Sequence, residues 1–285
     1  MLNLKESLIL ICPSCRAKIG TNTNLKAVCA SCGIEFPRIS GVPILRTVRA
    51  TEEIDYTSGD LPTMNTSELP IPLLIEAFSS NGLILEIGAG IDTCPSGNLV
   101  KTDAYLYSDK LDYLVDAHCL PFPDNTFDYV YSLAVFEHIH SPWIVADEIF
   151  RVLKPGGKVY TLVAFLQHVH GYPSHFFNMT DMGLRHLFGQ FEVLECGPSP
   201  FCPLDQICYC LADLNEMVQH LRSAQKKDWW QGGSDVDKLQ TAIKGVIELL
   251  PKVQNELISL PATHDAWKRI ATGFEITAMK PQKIS

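Results

Sequence analysis

The stretch LILEIGAG, residues 83–90, decides how the chain is read: an apolar run holding one acid, Glu86, leads straight into Gly88 and Gly90. A short, nearly continuous apolar run is the pattern of a strand buried on both faces, and glycines just beyond it let a ligand approach the backbone. Where a third glycine is usual stands Asp92, and the continuation IDTCPSG, residues 91–97, carries Pro95 and Gly97 instead of a helix-forming run. The first helix after the strand is therefore expected to be shortened or replaced by a loop. A phosphate-free ligand tolerates that change, since it has no pyrophosphate to seat on a helix N-terminus.

Working outward, NLVKTD ends a second expected strand at Asp103, DYLVD a third at Asp116, FDYVYS forms a fourth and KVYTLVAF a fifth. Between the last two, SPWIVADEIFRVL offers Ser141 as N-cap and Pro142 at the first helical position. Ile144, Val145, Glu148, Ile149 and Val152 then fall on or beside one face. LKPGG should end that helix, Gly156 and Gly157 being free to take positive φ. FEVLECG and TGFEITAMKP read as sixth and seventh strands, separated by two amphipathic stretches that flank DWWQGGSDV. Strands alternating with helices imply an α/β fold with a mostly parallel sheet, which binds ligands beyond the carboxyl ends of its strands. Glu86, Gly88, Gly90, Asp103 and Asp116 all fall at such ends.

With 285 residues, 46% of them hydrophobic, the chain can bury a full core. Its 32 acidic against 23 basic side chains give a net charge of −9, so no global field draws it to nucleic acid or an anionic membrane. No leader or membrane-length apolar run is evident, and a cytoplasmic protein is expected.

Four of the ten cysteines, Cys12, Cys15, Cys29 and Cys32, form two C-x-x-C knuckles with 13 residues between them. That spacing suits one tetrahedral zinc ion. The other six, Cys94, Cys119, Cys196, Cys202, Cys208 and Cys210, show no ligand spacing and are expected to pack as small hydrophobes. The knuckles and the phrase CGIEFPRISGVPILR resemble, over residues 8–46, the zinc-ribbon domain of the activating partner of tRNA and protein methyltransferases. The resemblance implies a docking or structural module that folds around its metal.

LILEIGAG, VDAHCLPFPDNTFDYVYSLAVFEHI and EIFRVLKPGGKVY together resemble class I S-adenosylmethionine-dependent methyltransferases of the small-molecule type, over roughly residues 71–191. The resemblance implies a Rossmann-like sheet of seven strands, the last antiparallel and inserted beside the sixth. It also implies cofactor contacts: Glu86, Gly88 and Gly90 at the methionine end, Asp103 at the ribose, Asp116 and Ala117 at the adenine, Leu133 and Ala134 facing the cofactor. The expected organisation is a ribbon over 1–46, a linker or lid over 47–72, the core over 73–200, a helical insertion over 201–268 and the final strand with a tail over 269–285.

After the fifth strand comes FLQHVHGYPSHFF, where His168, His170, Tyr172 and His175 can line an acceptor pocket; His170 and His175 are the candidate bases. Each can equally be a packed histidine bonded to backbone. His138 is expected to brace the loop after the fourth strand. The favoured acceptor is a small molecule, glycan or lipid precursor. The alternatives are methylation of ribosomal or transfer RNA, for which the ribbon offers few basic residues, and a non-catalytic scaffold. A protein partner could dock on the ribbon or on the C-terminal helices.

Overall fold

Alternating apolar runs and turn residues give strands of three to seven residues over most of the sheet. The structure, a computed structural model, describes residues 4–21, 27–46, 65–94, 97–167, 169–170, 174–199, 211, 214–219, 233–258 and 273–282. In the N-terminal module β1 (Ile19–Thr21), β2 (Ala27–Cys29) and β3 (Glu35–Phe36) form an antiparallel sheet, followed by the hairpin of β4 (Arg38–Ile39) and β5 (Val42–Leu45). The core contributes α1 (Pro72–Ser79), β6 (Ile84–Ile87), β7 (Leu99–Asp103), β8 (Tyr113–Val115), β9 (Phe127–Leu133) and α2 (Pro142–Val152). It continues with β10 (Leu153–Ala164), α3 (Asp181–Leu187), β11 (Glu192–Pro198), α4 (Gly233–Ile258) and β12 (Gly273–Met279).

The large sheet runs β11-β12-β10-β9-β6-β7-β8-β5-β4. The seven expected strands are consecutive within it, and β12 lies antiparallel between β10 and β11. The expected number of strands needs correction from seven to nine. β5 adds to the core sheet in parallel, pairing Ile44 with Leu114 and Leu45 with Val115. β8 would otherwise be an edge strand with a row of unpaired backbone groups, and the apolar VPIL segment covers it.

α2 begins at Pro142 as expected, but the Ser141 side chain makes no capping bond; its Oγ pairs with His140 Nδ1 at 2.7 Å. Ile144 lies on the flank of the helix and is 40% exposed, while Val145, Glu148, Ile149 and Val152 are buried. The LKPGG segment belongs to β10, whose register against β9 shifts between Leu153 and Lys158. Gly156 takes φ 80°, whereas Gly157 is needed for closeness: a Cβ there would sit 3.0 Å from the Asp128 carbonyl oxygen.

The module shares the core of the sheet. Cys12, Ile19, Cys29 and Phe36 belong to one apolar cluster with Leu85, Val100, Val115, Phe122 and Phe136. The Ile11 amide donates to the Pro121 carbonyl at 3.0 Å, and Lys5 pairs with Asp112 at 2.8 Å. At the other end, helical residues 214–219 meet α4 through buried Val218 and Ile243. Cys202, Cys208, Cys210, Trp229 and Trp230 lie outside the described residues, as do His168 and Tyr172.

Candidate active site and metal centre

The glycine turn after β6 is built by backbone geometry. Gly88 and Gly90 both take positive φ, 76° and 52°, and a Cβ at Gly88 would collide with Val135 Cγ2. The Gly88 and Ala89 amides donate to the Thr102 carbonyl at 2.9 and 3.0 Å, tying the turn to β7. Asp103, at the end of β7, accepts the Gly90 amide on Oδ2 and the Tyr105 amide on Oδ1, each at 2.9 Å. Burial raises its carboxyl above the ordinary value, opposed by these amides.

No helix follows the turn among the described residues 88–94 and 97–98. Asp92 takes over the work of holding the loop. Its Oδ1 accepts the Thr66 amide at 3.0 Å and the Cys94 amide at 3.1 Å, and Lys101 Nζ donates to its carbonyl at 2.9 Å while lying 3.5 Å from Oδ2. Thr66 Oγ1 and the Tyr131 hydroxyl share a bond of 2.8 Å. Glu86 is buried beside this group, and burial, with the Asp92 charge added, pushes its carboxyl well above the carboxylate range despite Tyr131 and Lys101. Sequence reading singled out Asp92 only as a missing glycine and passed over Lys101; the signal was a lysine inside the otherwise buried run LVKTD.

Asp116 ends β8 and caps the short turn at Ala117 by accepting the His118 amide at 2.9 Å; its Oδ1 also meets His118 Nδ1 at 2.7 Å. Burial opposes its ionisation, but the His118 bonds prevail and hold the carboxyl below its ordinary value. The Arg46 guanidinium, from the residue after β5, interacts with Asp103 and Asp116 and lies 6.0 Å from the Tyr105 ring. The N-terminal module thus reaches the same end of the sheet. Beyond β9, Leu133 is half-buried and Ala134 exposed, with Ala134 at φ 53°.

His138, His170 and His175 converge there too, with ring centroids 5.0 Å apart for His138 and His170 and 4.4 Å for His170 and His175. His138 Nδ1 lies 2.9 Å from the Ser174 carbonyl, bracing one loop against the other. Beside it Glu137 is fully buried, and burial lifts its carboxyl to about 7. Sequence reading missed Glu137.

The four knuckle cysteines form the second centre. Cys12 and Cys32 Sγ are 3.7 Å apart, Cys15 and Cys29 Sγ 3.4 Å, and all four lie within 4.8 Å of one another. A tetrahedral ion with metal–sulfur bonds of about 2.3 Å needs sulfurs about 3.8 Å apart, whereas a disulfide needs about 2.05 Å. The Ser31 and Cys32 amides both point at Cys29 Sγ at 3.4 Å, and the knuckles turn through left-handed Arg16 and Gly33. The donor set fits a zinc-class ion. A surface hollow lined by residues such as Leu8, Asn81 and Lys154 lies at the amino ends of the strands and meets none of these groups.

Residues 85–161 match the family model described as a methyltransferase domain. Over 80 residues the chain is 48% identical to sterol 24-C-methyltransferase of Schizosaccharomyces pombe, covering 27% of this chain and 19% of that protein. Over 64 residues it is 41% identical to the ubiquinone/menaquinone biosynthesis C-methyltransferase of Roseobacter denitrificans, covering 22% and 25%. The chain therefore spans about a quarter or less of these curated relatives' own length. Among solved structures it is similar to phosphoethanolamine N-methyltransferase 2 of Haemonchus contortus at 18% identity and a TM-score of 0.39, covering 73% of this chain and 51% of that one. Among the described residues no helix is long and apolar enough to cross a membrane.

Proposed function

We propose that the protein is an S-adenosylmethionine-dependent methyltransferase acting on a small-molecule, glycan or lipid-precursor acceptor. The observation that carries this reading is the coincidence of the methyltransferase-domain match with the glycine turn and the two strand-end acids. The relatives named for sterol and quinone-type acceptors favour a small molecule. When bound, the cofactor supplies an electrophilic methyl group on a sulfonium. Gly88 and Gly90 open the backbone to its methionine end beside Glu86; Asp103 faces the ribose while anchoring the turn; Asp116 and Ala117 border the adenine. Leu133 and Ala134 flank the route between cofactor and acceptor. His170 and His175 stand on the acceptor side as candidate bases, and most of the acceleration comes from alignment. Zinc on Cys12, Cys15, Cys29 and Cys32 is structural, its four thiolates leaving no open position.

Calorimetric titration with S-adenosylmethionine and S-adenosylhomocysteine, with NAD as control, tests the cofactor. Saturable binding of the first two, weakened in Asp103→Ala, is expected; no binding at millimolar ligand would overturn the reading. Metal analysis of the purified chain, with loss of zinc in Cys15→Ser, tests the structural ion.

A further inference from the structure

We propose that Glu137, His138 and His170 form a second metal site, for a divalent cation of the zinc class, at the ligand end of the sheet. One donor atom from each of the three lies within 4.8 Å of the others. The metal site stands on this geometry, and only its bearing on the acceptor rests on the proposed methyl transfer.

Glu137 is the first reason. It follows β9 in the turn Phe136–His138, is 0% exposed, and neither carboxylate oxygen makes a well-formed hydrogen bond among the described residues; only the Glu137 and Ala164 amides approach it, and burial outweighs them. None of the ion pairs found among those residues includes it. A buried carboxylate is costly unless it is paired or coordinates a metal. The turn is held in place: the Glu137 carbonyl accepts the Phe176 amide at 2.7 Å and the Phe177 amide at 3.3 Å.

The histidines supply the second reason. A carbonyl oxygen only accepts, so His138 Nδ1 carries the proton it gives to Ser174, and Nε2 keeps its lone pair. Donation of the second ring nitrogen to a carbonyl is the usual way a ligating imidazole is oriented. His175 Nδ1 accepts the His170 amide at 3.2 Å, which leaves Nε2 to donate to Asn178 Oδ1, also at 3.2 Å. Both nitrogens of His175 are thereby committed, and it acts as a buttress for His170.

Two imidazoles and a carboxylate favour zinc or cobalt over magnesium or calcium. Three protein ligands leave a fourth position, where an acceptor hydroxyl or thiol loses its proton to solvent more readily. With the cation bound, this arrangement replaces the free-base role offered above for both histidines: His170 serves the acceptor through the cation and His175 holds His170 in place.

The test is metal stoichiometry on the full-length chain after equilibrium dialysis against zinc, followed by cobalt titration watched by absorbance. Two zinc ions per chain are expected in the wild type and one in Glu137→Gln and in His170→Ala. The second cobalt ion should add weak visible bands without thiolate charge transfer, absent from both variants. One ion in the wild type, lost in Cys15→Ser, would overturn the proposal, as would a second ion that survives both substitutions. Should Glu137→Gln fail to fold, His170→Ala, in a half-buried loop, decides alone.

Discussion

Arg16 and Glu148 meet through two side-by-side bonds, Nη1 to Oε2 at 3.2 Å and Nη2 to Oε1 at 2.9 Å, although they stand 132 positions apart in the chain. Glu148 also accepts the Leu120 amide at 2.7 Å and both Nε and Nη2 of Arg151 at 2.8 Å. One carboxylate on α2 thus joins the cysteine module to the core. Burial opposes its ionisation, yet Arg151 and Arg16 prevail and hold the carboxyl below its ordinary value. A depressed carboxyl contributes stability above its unfolded-state pKa of about 4.3, and that contribution fades as pH falls through the folded-state value. Glu148→Gln should therefore cost about 1–3 kcal/mol at neutral pH. Melting curves of the two proteins should converge in acid; a gap independent of pH would refute the assignment.

Glu86 has the opposite sign. Its raised carboxyl binds a proton more tightly in the folded state, so stability falls as pH rises from the unfolded-state value towards the folded-state one. Glu86→Gln removes that decline. The variant should gain on the wild type as the buffer becomes more alkaline, measured by denaturant unfolding from acid to mild alkali. Equal slopes would mean that the carboxyl is not buried as described.

The two glycines of the turn should respond unequally to alanine. Left-handed backbone costs a non-glycine residue about 1–2 kcal/mol, which applies at both positions. Only Gly88 adds a collision, with Val135, while the space around Gly90 is open. Gly88→Ala should lose cofactor binding by about tenfold or more, as a penalty beyond 1.4 kcal/mol implies, and Gly90→Ala by less. Matched titrations of both variants, checked by circular dichroism, give the comparison.

Metal removal should be felt beyond the cysteines. Cys12 and Cys29 pack in the same cluster as Leu85 and Phe122, and β5 pairs with β8. Scanning calorimetry should give one transition with zinc bound and a lower midpoint after chelation. Two separate transitions in the zinc-loaded protein would indicate that the module melts alone.

Much of this architecture was legible in the sequence because it is local. Apolar runs ended by Asp103 and Asp116 mark strands, Pro142 marks a helix start, and the cysteine spacing marks one cluster of thiols. What escaped reading depends on residues far apart in the chain. Nothing in VPIL says that it will lie parallel to YLV, and nothing in FEHI says that Glu137 will be sealed beneath the loop carrying Phe176. The loop at Asp92 was legible as a departure from a pattern, but its support by Thr66 and Lys101 needed the fold. Arg46 was hidden for the same reason.

The placement of β5 and β4 outside β8 also bears on how the chain survives its own synthesis. Val42–Leu45 emerges long before Leu114 and Val115 exist to receive it, and it is then a bare apolar strand able to pair with another copy. Once docked, the sheet ends instead at Arg38–Ile39, two residues long and carrying a positive charge, a poor template for a neighbouring molecule. A knuckle that closes early on its ion would hold that strand in reserve, so zinc supply would govern the yield of usable protein before it governs any property of the finished one.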